Sequence, residues 1–183
     1  GRSAITKNWL ACLAGKDIEI ALLSSFPCEK PAEVQQMLIL PIAFSTLAGG
    51  QVKLAGQEGR HSRFHKSVSS LRDVLQKLRY KLGPMTLRFY RERYLDFLHT
   101  VEPDLVHALR IPFEGMLASF TPAQYPLIIS TWGNDLTLHA PSSKSTAKWT
   151  RRTLQRANAL MADTSRDLKL AKEWGCDERL PTL

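Results

Sequence analysis

Residues 126–135 constrain the fold of this chain more than any other stretch: Leu127, Ile128 and Ile129 are apolar without alternation and pass directly into Ser130, Thr131, Trp132, Gly133, Asn134 and Asp135. A strand that is apolar on both faces belongs in a parallel sheet covered by helices, because a sheet with one wet face shows alternation instead. In such sheets ligands bind at the loops that leave the carboxyl ends of the strands. The loop at residues 130–135 is therefore the first place to look for function.

Helical and extended periodicities alternate along the rest of the chain. Residues 4–13 read as a helix with Trp9, Leu10 and Leu13 on one face and Gly15 as its stop, followed by Ile18, Ile20, Leu22 and Leu23 as a strand. Leu38, Ile39 and Leu40 continue past Pro41 to Ile42 and Phe44 as a second strand, placed near a sheet edge because proline has no N–H for the ladder. A glycine-rich loop covers residues 48–67. Beyond it, Leu71, Val74, Leu75, Leu78 and Leu82 form one helical stripe that Gly83 and Pro84 are expected to end, and Leu87, Tyr90, Tyr94 and Leu98 form the stripe of a second helix.

Glu102, Pro103 and Asp104 then turn the chain into a strand at residues 105–108. A short helix is expected at 112–118, a longer one at 146–157 and a strand at 159–162. The last helix carries the clearest boundaries: Thr164 as N-cap, Asp167 three residues on, Leu168 and Ala171 facing inward, and Gly175 where a left-handed residue closes the end. Strands alternating with helices argue for a doubly wound, parallel α/β sheet in one domain.

A length of 183 residues with 44% apolar and 23% charged residues is enough for one core. Cys12, Cys28 and Cys176 are odd in number and form no CxxC pair, so they read as reduced, structural thiols of a cytoplasmic protein. No apolar stretch reaches the roughly 18 residues of a bilayer span, and the opening residues lack a signal-peptide pattern. The chain opens on Gly1 and closes at Leu183 just as a new apolar segment starts, and it reads as a piece of a longer polypeptide.

Charge is concentrated in one place. Residues 60–93 hold Arg60, Arg63, Lys66, Arg72, Lys77, Arg79, Lys81, Arg88, Arg91 and Arg93 against Asp73 and Glu92 alone, while the rest of the chain is neutral. A single-sign block attracts an anionic partner, although a solvated helix face accounts for it equally well.

Three strand ends carry the candidate chemistry: residues 107–110, 130–135 and 163–165. In a parallel arrangement all three open on one edge of the sheet, where a helix starting at Thr164 or Ser165 also points its positive dipole end. Ordinary structural roles compete with each. Asp135 reads first as a cap for the segment after Gly133, His107 as a satisfied core histidine, Trp132 as a cover for the core, and Thr164 and Ser165 as caps. The phosphate loop GxxxxGK[ST], the GxSxG elbow, HExxH and a complete GxGxxG after a strand are all missing. His61 and His65 have i, i+4 spacing but no third ligand beside them, so no metal is expected.

Pro103, Asp104, Leu105, Val106 and His107, then residues 126–136, then residues 157–175 resemble, in order and spacing, the N-terminal domain of GT-B fold glycosyltransferases of family 4. That family carries a "pDvvHah" strand, a "pvvvtxHGxD" strand and loop, and an "ada.ia.S" strand and helix ending in Gly. Gly1, Arg2 and Ser3, running on to Trp9 and Leu10, resemble its glycine loop and first helix, with the first strand absent. One departure stands out: Trp132 occupies the place of the histidine that precedes the glycine of the "HGxD" loop.

The resemblance implies a Rossmann-like domain over residues 1–183, the N-terminal half of a GT-B fold, whose C-terminal nucleotide-sugar domain is not in these residues. It implies retaining transfer of a sugar from a nucleotide diphosphate sugar to a glycan or lipid-linked acceptor, with no further cofactor and no metal. The implied substrate-binding set is Gly1, Arg2, Ser3, His107, Arg110, Trp132, Gly133, Asn134, Asp135, Thr164 and Ser165. In related enzymes a basic face on this domain meets anionic lipid, which would make residues 60–93 a peripheral attachment to the inner face of a membrane. Two other readings are a non-catalytic α/β module that binds an anionic partner and a fragment of a GT-B fold nucleotide-sugar epimerase. No nucleic-acid motif is present, and no nucleic acid is expected.

Overall fold

A computed structural model describes residues 3–45 and 65–183. Gly1, Arg2, Arg60, His61 and Arg63 lie outside the described residues.

Helix α1 (Ala4–Leu13) turns its Leu10 inward, and its chain reverses at Gly15, whose φ of 73° is the left-handed conformation that a tight stop needs. Strand β1 (Ala21–Ser24) pairs in parallel with β2 (Gln36–Ile39), Ala21 opposite Gln36 and Ser24 opposite Ile39. β1 is shorter than the apolar pattern predicts, since Ile18 stays outside it and is 49% exposed. β2 likewise stops before Pro41, and Ile42–Phe44 forms a helical turn with Ala43 at a φ of 52°.

The largest departure from expectation is α2, one helix from His65 to Val101 that runs through Gly83 and Pro84. Proline in a helix interior leaves the carbonyl four residues earlier without its N–H partner. Here that carbonyl belongs to Tyr80, and the Ser143 hydroxyl reaches it at 3.4 Å. Gly83 is small for a reason of packing: a Cβ on it would lie 2.8 Å from the Ala43 Cβ and 2.9 Å from the Phe113 ring. The Gly83 carbonyl accepts from the Thr86 hydroxyl at 2.6 Å, and the Ala43 N–H donates to that same hydroxyl at 2.8 Å. The Gly-Pro pair therefore seats the helix against the 42–44 turn instead of ending it.

Beyond α2, strands β3 (Val106–Ala108), β4 (Leu127–Thr131) and β5 (Ala159–Ala162) form a parallel sheet with β4 in the centre. Pro181, Thr182 and Leu183 begin a further parallel pairing with β5: Leu160 donates to Pro181 and Ala162 to Leu183, both at 3.0 Å. The connections are a helical turn at Ile111–Gly115 leading into α3 (Met116–Ala118), then α4 (Lys144–Arg156) and α5 (Ser165–Glu173). α4 starts two residues before the pattern predicts, because the Ser143 side chain caps it by accepting from the Thr146 N–H at 3.1 Å.

Leu127 and Ile129 of β4 are fully buried against Leu87, Tyr94 and Leu98 of α2, Leu117, Leu154 and Leu160, which form one continuous core. The result is a mixed α/β fold with parallel strands. Among the described residues no helix is long and apolar enough to cross a membrane.

Candidate functional site

Because β3, β4 and β5 are parallel, the segments at 107–110, 130–135 and 163–165 leave one edge of the sheet together. Asp135 connects the first two. Its carboxylate is fully buried; Oδ1 accepts from Arg110 Nη2 at 3.1 Å, and Oδ2 accepts from the backbone N–H of Ile111 at 3.0 Å and of Trp132 at 3.3 Å. Asp135 is therefore not chiefly a cap for the segment after Gly133: it reaches back to Trp132 and across to the β3 loop. Arg110 lies with its guanidinium carbon 5.0 Å from the centre of the Trp132 ring, an arrangement that stabilises cation and ring together. Its Nε is buried and has no hydrogen-bond partner among the described residues.

The β4 and β5 ends are joined by Arg166, which donates to the Gly133 carbonyl at 3.4 Å and to Asp167 Oδ1 at 3.1 Å. Thr164 is the N-cap of α5, accepting from the Asp167 N–H at 3.2 Å while its hydroxyl donates to the Asp167 carboxylate at 2.9 Å. Asn134, Thr164 and Ser165 are exposed on this edge and Gly133 is half-buried. His107 is half-buried, with Nε2 at 2.8 Å from the Ser130 hydroxyl and the Trp9 ring edge-on at 5.0 Å. Burial pushes its pKa below the ordinary histidine value, so the neutral imidazole is favoured.

A cavity of about 890 Å³ lies between β1 and β3. Its walls are Ala21, Leu22 and Leu23 on one side and Leu105, Val106 and Ala108 on the other, over Tyr94, Leu98 and Leu117. Ser3, His107, Arg110 and Trp132 all line it; Gly133, Asn134, Asp135, Thr164 and Ser165 do not. Thus four of the expected site residues share one cavity, and Asp135 supports it from behind through Arg110.

The same cavity exposes residues that the sequence pattern did not single out. Glu114, Ser25 and Ser45 line its polar end. The Ser25 hydroxyl donates to Glu114 Oε1, the Phe113 N–H donates to Glu114 Oε2 at 2.8 Å, and the Ser45 hydroxyl donates to the Ser25 carbonyl. Arg79 binds the three loops together: its guanidinium carbon lies 5.2 Å from the centre of the Phe26 ring and 5.1 Å from that of Phe113, and its Nε donates to the Ala43 carbonyl at 2.9 Å. Within the basic block, then, Arg79 is a structural clamp, and burial lowers its pKa from the ordinary value. Tyr80 stacks on His139 at 4.6 Å; burial raises the Tyr80 pKa and, ahead of the nearby Arg110 charge, lowers that of His139.

This arrangement places one carboxylate, four serines (Ser3, Ser24, Ser25 and Ser45), one guanidinium and an indole face around a cleft with apolar walls. Chemically, the carboxylate and serine oxygens are hydrogen-bonding groups and the Trp132 ring is a flat apolar face. Among the described residues no three His, Cys, Asp or Glu side chains gather in a way that could hold a metal ion. Comparison with known proteins adds nothing to this geometry, since no family model, no curated protein and no solved structure matches the chain.

Proposed function

We propose that this chain is the acceptor-side, Rossmann-like half of a retaining glycosyltransferase of the GT-B fold, in which a second domain supplies the nucleotide diphosphate sugar. The observation that carries the reading is the shared cavity: Ser3 from the start of α1, His107 and Arg110 from the end of β3, and Trp132 from the end of β4 line one cleft, although 129 positions separate the first from the last.

Two further features support it. The cleft lies between the β1–β2 pair and the β3–β4–β5 sheet, both of them parallel. The polar groups cluster where β1 and β3 end, on the edge at which α/β sheets bind ligands. In this reading Glu114 and Ser25 hold acceptor hydroxyls, Trp132 stacks on a sugar ring in the place where the family has histidine, and Arg110, oriented by Asp135, faces anionic oxygens. The acceptor is a glycan or a lipid-linked sugar, and the protein works in the cytoplasm, attached peripherally to the inner face of a membrane.

The test uses the full-length protein with a panel of nucleotide diphosphate sugars and a mixture of membrane and glycan acceptors, following nucleoside diphosphate release. Release that needs an acceptor and falls at least about tenfold in Glu114→Gln, one lost charge-assisted hydrogen bond, supports the reading. No release from any donor overturns it.

A further inference from the structure

Gly83, Leu87, Tyr94 and Leu98 are buried and mark the side of α2 that faces the core. On the opposite side, half a turn around the helix, apolar side chains stand in water. Phe89 is 82% exposed, more than any other large apolar side chain among the described residues, and Met85 is 62% exposed. With half-buried Leu82 and Thr86 they occupy positions i, i+3, i+4 and i+7, the four-residue hole that receives a knob from a second helix. The hole is a groove of about 420 Å³ whose lining Tyr90 completes. Charge is uneven along this face. Lys81 lies one turn before Met85, while Glu92 and Asp96 lie one and two turns after Phe89, all exposed. Glu92 also meets its neighbour Arg91 at 2.5 Å, but both partners are exposed and that pair holds it weakly.

A face that is basic at one end, apolar in the middle and acidic at the other is complementary to itself when reversed. A surface of one sign would satisfy one end and repel the other, and a parallel copy would set Lys81 against Lys81 and Glu92 against Glu92. We propose that this face of α2 pairs antiparallel with the same face of a second copy of the chain, about a two-fold axis that crosses the helix level with Leu87, midway between Met85 and Phe89. Each Phe89 then enters the hole of the other copy, because the middle of the hole lies about as far before the axis as Phe89 lies after it. The same rotation brings Lys81, six positions before the axis, between Glu92 and Asp96 of the second copy, five and nine positions after it. Arg93, on the other rim, meets the neutral Thr86. Arg88, one position past the axis, comes beside its own mate and opposes the pairing, so the dimer is weak and forms as concentration rises. The two cores do not collide, since the buried side of α2 points away from the groove in both copies. The pairing needs neither the sugar-transfer reading nor a membrane.

Sedimentation velocity of the protein over a dilution series tests it. The wild type is expected to pass from monomer to dimer as concentration rises. Phe89→Ser, which removes two apolar knobs from each dimer, is expected to weaken association at least about tenfold, and Met85→Ser reports on the same groove from a second exposed position. Lys81→Glu is expected to weaken association about fivefold, and Lys81→Glu combined with Glu92→Lys to restore most of it, because the exchanged charges again face their opposites across the axis. Arg88→Ala is expected to strengthen it about threefold, whereas a contact with an anionic surface would weaken. All these side chains are exposed, and thermal melts confirm that each variant folds. A chain that stays monomeric at every concentration, a dimer untouched by both serine variants, or a charge exchange that fails to restore association overturns the proposal, whichever other occupant the face then takes.

Discussion

Arg110 donates to the fully buried Asp135 carboxylate at 3.1 Å, and through that one contact the loop leaving β3 is fixed to the loop leaving β4. The carboxylate also accepts two backbone N–H groups, from Ile111 and Trp132, so removing it strands a cation and two donors at once. Asp135→Ala is expected to destabilise the fold by about 2–4 kcal/mol, chiefly through the two backbone donors left unpaired, since the Arg110 side chain is part-exposed and stays partly solvated. Asp135→Asn keeps the shape and one acceptor oxygen and costs less. Urea unfolding of both variants is the measurement; an alanine variant within about 1 kcal/mol of wild type would mean that the loops are held by something else.

Gly83 shows how tertiary packing overrides helical preference. In an exposed helix, alanine for glycine gains about 1 kcal/mol. At position 83 the new methyl would lie 2.8 Å from the Ala43 Cβ, and Ala43 is itself fully buried on a turn clamped by Arg79 and Thr86. Gly83→Ala is therefore expected to be destabilising, by about 1–3 kcal/mol of overpacking strain. Chemical denaturation decides it by sign alone, since a more stable variant would show that α2 shifts freely on the 42–44 turn.

How much of this was legible in the chain depends on how far apart the deciding groups lie. The Thr164 cap and the 159–162 strand are local, with Thr164 and Asp167 three residues apart, and they stand where the pattern places them. The parallel sheet follows from the unbroken apolar character of Leu127, Ile128 and Ile129. Continuity of α2 was not legible, because the hydroxyl that relieves the Tyr80 carbonyl comes from Ser143, 63 positions away. Glu114 was missed for the same reason: its partner Ser25 is 89 positions distant. Arg79 looked like one more member of a basic run, and only the Phe26 and Phe113 rings on either side of it separate it from Arg88 or Arg93.

His107 gives the fold an acid limb. Its neutral form is favoured by burial, so its folded pKa lies below the unfolded value of about 6.5. Below that pH the unfolded chain binds a proton that the folded one refuses, and stability falls as pH drops. His139, lowered for the same first reason, adds a contribution of the same sign. Ring-proton NMR across pH 4–8 should show the His107 midpoint below the free-histidine range, and a midpoint at or above it would contradict the buried neutral assignment.

The alkaline limb comes from the opposite kind of group. Tyr94 is 4% exposed, its hydroxyl lies 2.5 Å from that of Thr121, and burial raises its pKa to about 12. An unfolded tyrosine ionises near 10, so between about pH 10 and 12 the unfolded chain releases a proton that the folded chain keeps, and the folded state loses stability as pH rises. Two pKa units amount to roughly 2–3 kcal/mol for this one group. Tyr80, also raised by burial, contributes with the same sign. Tyr94→Phe, which cannot ionise, should be less stable than wild type at neutral pH through the lost hydroxyl contact, yet should lose less stability between pH 9 and pH 12. Urea midpoints across that range test the difference in slope: if the two proteins fall in parallel, the alkaline sensitivity does not originate at Tyr94.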